Sequence, residues 1–385
     1  MTNDYIEHYR QNAISPVKQD ISDIKKHFYI RKKLYQALGL TNNDFEGKEI
    51  LEIGPGGGYN TLYTASLKPK FYQLIEANEV GVKEIKTNLI KYNISLENID
   101  IKNLFIENFK SDKKFDVVIC EGMLPGIENS IEVLSKIDTL VKHNGIMLIT
   151  CSDEISIFFD MARRLLANIL LQREGRATFQ EKIALLVEAF STHLDTLKGF
   201  GRLKEDWCAD TMIGNAMYNT NLSISDVITM FQTSYSFYGI SPKIITNPTW
   251  FKEVPLSIED FNSANIDAFY SVWHNLMHYR AFDNDIWSKA DTLSLREACR
   301  DFIAYCKASE KSYDKALRED ILKSIDSIKT IFEKNRSDKC IRNSLNELSL
   351  FLEKDDIGTQ SIAEGFKEFK SAFGRGQQYI TLIKE

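Results

Sequence analysis

The sequence has few cysteines, few prolines and no long apolar run. Its 6 cysteines show no CxxC spacing, which argues against a zinc site and against a disulfide framework. With 7 prolines and no low-complexity tract, it does not resemble a disordered chain. No apolar run approaches the roughly 18 residues of a membrane span, and the first residues lack an apolar signal core. We therefore expect a cytoplasmic protein with reduced thiols and no membrane span.

The charge distribution also excludes some partners. The formal net charge is −6, and no stripe of lysine and arginine is interleaved with aromatic residues. A protein that binds a nucleic-acid backbone needs such a positive surface. We therefore expect no nucleic-acid partner. The 385 residues allow two or three domains, or one domain with large insertions.

Short apolar runs alternate with amphipathic stretches between residues 48 and 150. The runs are EILEIG, FYQLIEA, IDIKNLFI, FDVVICEG and GIMLIT. Strands that are buried on both faces have this continuous apolar character, so the pattern predicts a parallel sheet covered by helices. The fold class is therefore α/β.

Helical periodicity dominates the remainder of the chain, apart from two strand-like runs, YSFYGISPKII and QQYITLIKE. The predicted segments are an N-terminal helical segment at 1–44, a core at 45–152, a helical cap with a loop at 153–222, a return to the core at 223–257, a helical insertion at 258–372 and a final core strand at 373–385. Amphipathic helices in 258–372 could pair in a homodimer or cover the sheet.

The stretch EILEIGPGGGYN at 49–60 places a glycine loop after a strand that ends in Glu52. Its backbone amides and the following helix N-terminus suit an anionic ligand, although a structural turn is the alternative. Glu76 ends the next strand, where an acid can accept both hydroxyls of a ribose. Together these features indicate a nucleoside. A nicotinamide fingerprint would need glycine in place of Tyr59, and no P-loop lysine follows the glycines.

In order and spacing, the segments EILEIGPGGGYN, LIEAN, FDVVICEG and LVKHNGIMLIT resemble class I S-adenosylmethionine-dependent methyltransferases over residues 45–152. The resemblance implies a Rossmann-like, seven-stranded sheet with helices on both faces, whose last strand, 377–384, runs antiparallel between the fifth and sixth. It also implies S-adenosylmethionine as cofactor. The implied cofactor residues are Glu52, Gly54, Pro55, Gly56, Gly58, Asn60, Glu76, Ala77, Phe105, Ile106 and Glu121. Phe105 replaces the usual acid or amide near the adenine, so a backbone group there or Glu107 would substitute.

Transfer of a methyl group to a hydroxyl acceptor is assisted by a general base that removes the hydroxyl proton. The catalytic candidates are Glu121, His193 and Asp210. Glu121 follows the fourth strand at the sheet's ligand edge, although it could instead only bind cofactor. For His193 the alternative is an ordinary packed histidine. A magnesium site formed by Glu121 with Asp153 and Glu154 is a minor alternative, and we expect no metal.

The whole chain is more loosely similar to bacterial methyltransferases that modify small molecules or surface sugars. The shared motifs are Asp206-Trp207, the segment YGISP at 238–242 and GRGQQY at 374–379. The candidate acceptor-binding residues are Tyr59, Asp206, Trp207, Tyr218 and Arg375. For Arg375 the alternative is a plain turn arginine.

The leading hypothesis is methyl transfer to an oxygen or nitrogen atom of a small-molecule or glycan-type acceptor. A second hypothesis is a binding module that keeps the cofactor without catalysis and holds a partner protein. A third is a nicotinamide-dependent oxidoreductase. An intact pocket with a base beside the methyl group favours the first, whereas a pocket plugged by Phe105, Tyr59 or an aromatic residue of the cap favours the second.

Overall fold

A computed structural model describes residues 19–199, 201–214, 218, 222–245, 249–280, 282–336, 339–354 and 356–385. Within these residues the chain forms two compact units. The first is drawn from Met1–Ser152, Asn219–Ala268 and Gln377–Glu385, and the second from Asp153–Tyr218 and Phe269–Gly376. The finer segment boundaries predicted from the sequence stay predictions.

The first unit contains a seven-stranded sheet in the order β3-β2-β1-β4-β5-β7-β6. The strands are β1 (Glu49–Ile53), β2 (Phe71–Ile75), β3 (Ile99–Lys102), β4 (Phe115–Cys120), β5 (Val141–Cys151), β6 (Tyr235–Ser241) and β7 (Gln378–Lys384). Strands β1 to β5 pair in parallel, and β7 is antiparallel to both β5 and β6. The predicted Rossmann-like methyltransferase sheet, with its last strand inserted between the fifth and sixth, is confirmed.

The apolar runs form the centre of this sheet because helices cover both of its faces. Ile50, Leu74 and Leu148 are fully buried, as expected for parallel strands. In register, Ile53 of β1 pairs with Ile75 of β2 and with Cys120 of β4. The residues that follow these three strand ends therefore lie along one edge of the sheet.

The helices are α1 (Ile24–Ala37), α2 (Thr61–Ser66), α3 (Glu79–Lys91), α4 (Ser130–Leu140), α5 (Phe158–Glu174), α6 (Phe179–Leu194), α7 (Lys204–Cys208), α8 (Ile224–Met230), α9 (Ile258–Val272), α10 (Lys289–Ala308), α11 (Lys315–Lys334), α12 (Lys339–Leu352) and α13 (Thr359–Glu364). Ser223 caps α8 in a reciprocal box with Asp226, as its sequence position predicts. No helix in the described ranges is long and apolar enough to cross a membrane.

The segment predicted as an acceptor loop is partly helical. Lys204–Cys208 forms α7, and a π-helical turn continues over Ala209–Ile213. Trp207 and Cys208 are buried there, so tertiary packing stabilises a helix too short to form alone. Five of the six free cysteines are buried, and Cys340 is exposed.

Candidate functional site

A cavity lies in the first unit at the carboxyl edge of the sheet. Its lining comes mainly from the loops that follow β1, β2, β3 and β4. The carboxyl ends of parallel strands form the ligand crevice in open α/β sheets. Most of the predicted cofactor residues line this cavity, namely Gly54, Pro55, Gly56, Asn60, Glu76, Ala77, Phe105, Ile106 and Glu121.

The glycine loop presents backbone to the cavity. Gly54 and Gly56 have φ values of 69° and 56°, in the left-handed region that favours glycine. The Gly54 amide donates to the Ile75 carbonyl (2.8 Å), which ties the loop to the end of β2. Gly58, also predicted to contact cofactor, is not among the lining residues that the structure describes. A Cβ at Gly58 would lie 2.9 Å from Ile85, so this glycine allows the loop to pack on α3.

Glu76 is held at the rim of the same loop. Its Oε2 accepts from the Gly56 amide and its Oε1 from the Asn78 amide, each at 2.7 Å. The side chain is buried, and burial raises its pKa from 4.5 to about 7. Each carboxylate oxygen can accept a further hydrogen bond. When ionised, Glu76 can therefore accept the two hydroxyls of a ribose, which fits the cofactor implied by the sequence.

Glu52 has a different environment from Glu76. Its carboxylate accepts hydrogen bonds from the Thr61 hydroxyl (2.9 Å) and from the Tyr72 hydroxyl. Burial raises its pKa to about 7, and it is not among the described lining residues. These bonds anchor the start of α2 to β1 and β2. Contact between Glu52 and a ligand stays a prediction.

Residues 104–107 line the cavity beyond Glu76, together with Ala77. Phe105 and Ile106 supply apolar surface there. Glu107, predicted as a substitute polar contact, lines the cavity and accepts from the Asn129 amide at 3.0 Å. This wall combines apolar surface with one carboxylate, which suits an adenine ring and its amino group. Phe105 forms part of the wall and leaves the cavity open.

Glu121 follows β4, and both of its carboxylate oxygens are bonded to other side chains. Its Oε1 lies 2.5 Å from Nη2 of Arg31 on α1, and its Oε2 accepts from the Asn60 amide at 3.0 Å. The Arg31 and Glu121 side chains are only 5% and 6% exposed. Tyr59 also lines the cavity, and its carbonyl contacts Nε2 of His27 on α1 at 2.9 Å.

The sequence analysis missed Arg31, and it also missed Gln19 and Gln377, which line the cavity. Helix α1 reads as an apolar face with a solvated basic face. However, His27, Arg31 and Tyr35 are all buried at intervals of four residues. Polar residues at i, i+4 and i+8 share one helix face. That spacing is the signal that could have revealed Arg31.

His193, a candidate base, lies in the second unit. It is fully buried, its Nε2 contacts the Ile362 carbonyl at 3.0 Å, and its ring meets Phe190, Phe366 and Phe369 edge-on. Burial lowers its pKa to about 3. This environment favours the packing alternative over catalysis.

The candidate acceptor residues 206–218 also lie in the second unit. Trp207 is buried with its ring edge-on to Phe373, 6.3 Å between centroids. Asp210 is paired with Arg202. The Tyr218 hydroxyl accepts from Arg164 at 2.7 Å and donates to Glu310 at 2.9 Å. A role for these residues, or for the neighbouring Asp206, in binding an acceptor stays a prediction.

Arg375 acts on the backbone of the second unit. Its guanidinium donates to the carbonyls of Asn275, His278 (2.7 Å) and Tyr279 (2.9 Å). At Gly374 a Cβ would lie 1.7 Å from the Ser156 carbonyl oxygen, so the backbones approach closely there. The GRG sequence thus joins three segments of the second unit, which favours the turn-arginine alternative.

No group of three or more potential metal ligands occurs in the described part of the chain. His274 and His278 form an i, i+4 pair in the sequence HNLMH, for which a solvated helix face is the expected alternative to a zinc site, but the structure buries both. The His274 ring stacks on Trp287 with 4.3 Å between centroids, and burial lowers the pKa of both histidines to about 4. The expected solvated face was therefore wrong, because aromatic packing covers these rings.

Residues 24–188 match the family model described as a methyltransferase domain. No curated protein matches the chain. Among solved structures, it is similar to the N-methyltransferase NodS from Bradyrhizobium japonicum in complex with S-adenosyl-L-homocysteine (17% identity, 40% of this chain and 74% of that one, TM-score 0.31). It is also similar to an S-adenosylmethionine-dependent methyltransferase from Mesorhizobium loti (11% identity, 33% and 55%, TM-score 0.29).

The chain spans about half the length of several solved structures that it matches, for example 45% and 53%. With TM-scores this low, these matches do not bear on activity. The family model, the inserted antiparallel β7 and the cavity lined by Gly54, Gly56 and Glu76 agree with one another. Residues 24–188 therefore match a methyltransferase domain, and the strand order of the sheet is the one that the resemblance to class I methyltransferases implies.

Proposed function

We propose that the chain transfers a methyl group from S-adenosylmethionine to an oxygen or nitrogen atom of a small-molecule or glycan-type acceptor. The cavity at the carboxyl edge of the sheet is the observation that carries this proposal. It combines glycine-loop backbone, a buried carboxylate placed for a ribose and an apolar wall at Phe105. Phe105 and Tyr59 line the cavity and do not fill it, which supports the half of the catalytic hypothesis that requires an intact pocket.

Bound S-adenosylmethionine supplies an activated methyl group on a sulfonium, so the protein mainly has to bind, orient and exclude water. Glu76 would accept the ribose hydroxyls. The backbone of Gly54 and Gly56 would face the methionine portion, and Ala77 and Phe105 would enclose the adenine. Different residues along the cavity would thus bind the three parts of the cofactor, and the protein would form no covalent bond to it.

The residues that line the cavity also indicate which class of acceptor the protein could methylate. Glu121 already receives bonds from Arg31 and Asn60, and Glu107 receives one from Asn129. No histidine is among the described residues that line the cavity. Both carboxylates are thus already engaged by donors of the protein itself. We therefore favour a nitrogen acceptor that arrives as a neutral amine, with a hydroxyl acceptor as the second candidate.

The test is transfer of isotopically labelled methyl from S-adenosylmethionine to a panel of amines, amino sugars and hydroxylated sugars, read by mass spectrometry. We expect labelled product with an amine and release of S-adenosylhomocysteine in equal amount. Glu76→Ala serves as the inactive control and Glu79→Gln, which changes an exposed residue of α3, as the matched active one. Binding of the cofactor without transfer to any class of acceptor would favour the binding module.

A further inference from the structure

The Arg31–Glu121 pair joins an element outside the sheet to the cavity lining. Arg31 projects from α1, whereas Glu121 follows β4 and lines the cavity; Arg31 is not among the described lining residues. Both side chains are buried, and 2.5 Å separates Nη2 of Arg31 from Oε1 of Glu121. Among the described residues, Glu121 is the carboxylate that pairs with Arg31. Tyr35 and Tyr379 are the polar neighbours of its guanidinium.

This pair places a carboxylate, Glu121, at the cavity lining and a guanidinium, Arg31, directly behind it. The described charged residues of the lining are Glu76, Glu107 and Glu121. Glu107 is exposed, so water screens it, and Glu76 is committed to backbone amides beside the nucleoside end. Glu121 is the remaining buried carboxylate, and Arg31 offsets its charge. Charges in a site with little water interact much more strongly than charges in solution.

S-adenosylmethionine carries a positive sulfonium, and the product S-adenosylhomocysteine carries a neutral thioether. The two compounds therefore differ by one charge and one methyl group. We infer that the Arg31–Glu121 pair sets the cavity's preference between them, because Glu121 attracts the sulfonium while Arg31 limits that attraction. With the two charges balanced, S-adenosylhomocysteine binds less tightly than S-adenosylmethionine and therefore inhibits less. The cofactor is still not bound so tightly that turnover slows. This inference rests on the proposed function.

The test measures the ratio of dissociation constants, S-adenosylhomocysteine over S-adenosylmethionine, by calorimetric titration of the full chain at pH 8. Glu121→Gln leaves the charge of Arg31 unbalanced, so the ratio should fall about tenfold. Arg31→Met leaves the carboxylate unbalanced, so the ratio should rise about tenfold. The double variant should lie between the two single variants, and Arg31→Lys should keep the wild-type ratio.

Opposite shifts distinguish electrostatic control from a structural role, because general damage to the site would weaken both ligands together. Lys32→Met is the matched control: it removes a neighbouring charge from the exposed face of α1 and should leave the ratio unchanged. If Arg31→Met does not fold, Glu121→Gln carries the test alone.

Ratios that stay within about twofold of wild type, or that move in the same direction in both single variants, would overturn the inference while the proposed function stands. Wild-type protein that binds neither compound would instead overturn the proposed function, and this inference with it. Melting temperatures of the ligand-free variants give a second readout. They should fall in both single variants, because each leaves one buried charge without its partner.

Discussion

Buried charged side chains meet different partners in the two units. In the first unit, Glu76 and Glu121 line the cavity at the edge of the sheet. In the second unit, Arg163 and Arg375 direct their guanidinium groups to backbone carbonyls of their own unit. The difference teaches that a polar or aromatic motif does not by itself indicate a ligand site. A position at the carboxyl edge of a parallel sheet is the stronger indication.

The largest expected effect is a loss of stability in the second unit. Arg163 is fully buried and donates to the carbonyls of Ala372 (2.7 Å), Phe369 (2.9 Å) and Phe159 (3.0 Å). Arg163→Met would remove the guanidinium donors that join these segments, and we expect a loss of about 3 to 5 kcal/mol in the free energy of unfolding. Urea denaturation measures this, with the exposed Arg176→Met as a control that should change little. Equal midpoints for the two variants would contradict a structural role for Arg163.

Glu76→Ala tests the first unit. It removes the carboxylate that we assign to the ribose, so the affinity for both S-adenosylmethionine and S-adenosylhomocysteine should fall about 100-fold or more. Calorimetric titration gives both constants, and Glu79→Gln should bind as the wild type does. A Glu76→Ala protein that binds normally would remove the nucleoside assignment.

The stability of the ligand-free fold should depend on pH through both Glu76 and Glu52. Burial raises the pKa of both from 4.5 to about 7. A raised carboxyl pKa means that the folded state binds more protons than the unfolded state, so the ligand-free fold should lose stability as pH rises from 4.5 to 7.

Cofactor affinity should change in the opposite direction, because an ionised Glu76 accepts the ribose hydroxyls. We expect affinity to rise about tenfold between pH 6 and 8, with proton release at pH 6. Titrations in two buffers of different ionisation enthalpy detect that release. Affinity that does not vary with pH would place the ribose elsewhere.

The smallest expected effect concerns Asp210, which is paired with Arg202; their side chains are 16% and 22% exposed. Asp210→Asn should cost about 1 kcal/mol or less of stability, because partly exposed ion pairs contribute little. Transfer to the best acceptor should stay close to the wild-type rate. A drop of about 100-fold in transfer with normal cofactor affinity would instead make Asp210 the general base.

Much of the first unit could be predicted from the sequence, because its signals are local. The apolar runs, the glycine loop and Glu76 each follow from a short stretch, and the position of β7 follows from the family resemblance. The Arg31–Glu121 pair could not be predicted, since its partners are 90 residues apart. The same holds for His193, whose carbonyl partner is 169 residues away. Such pairings depend on tertiary packing, which short-range patterns do not encode.

The most direct test is calorimetric titration of the purified full chain with S-adenosylmethionine, S-adenosylhomocysteine and NAD. We predict that both sulfur compounds bind with one site per chain and that NAD does not bind. Binding of NAD, or failure of both sulfur compounds to bind, would contradict the assignment of the cavity to S-adenosylmethionine.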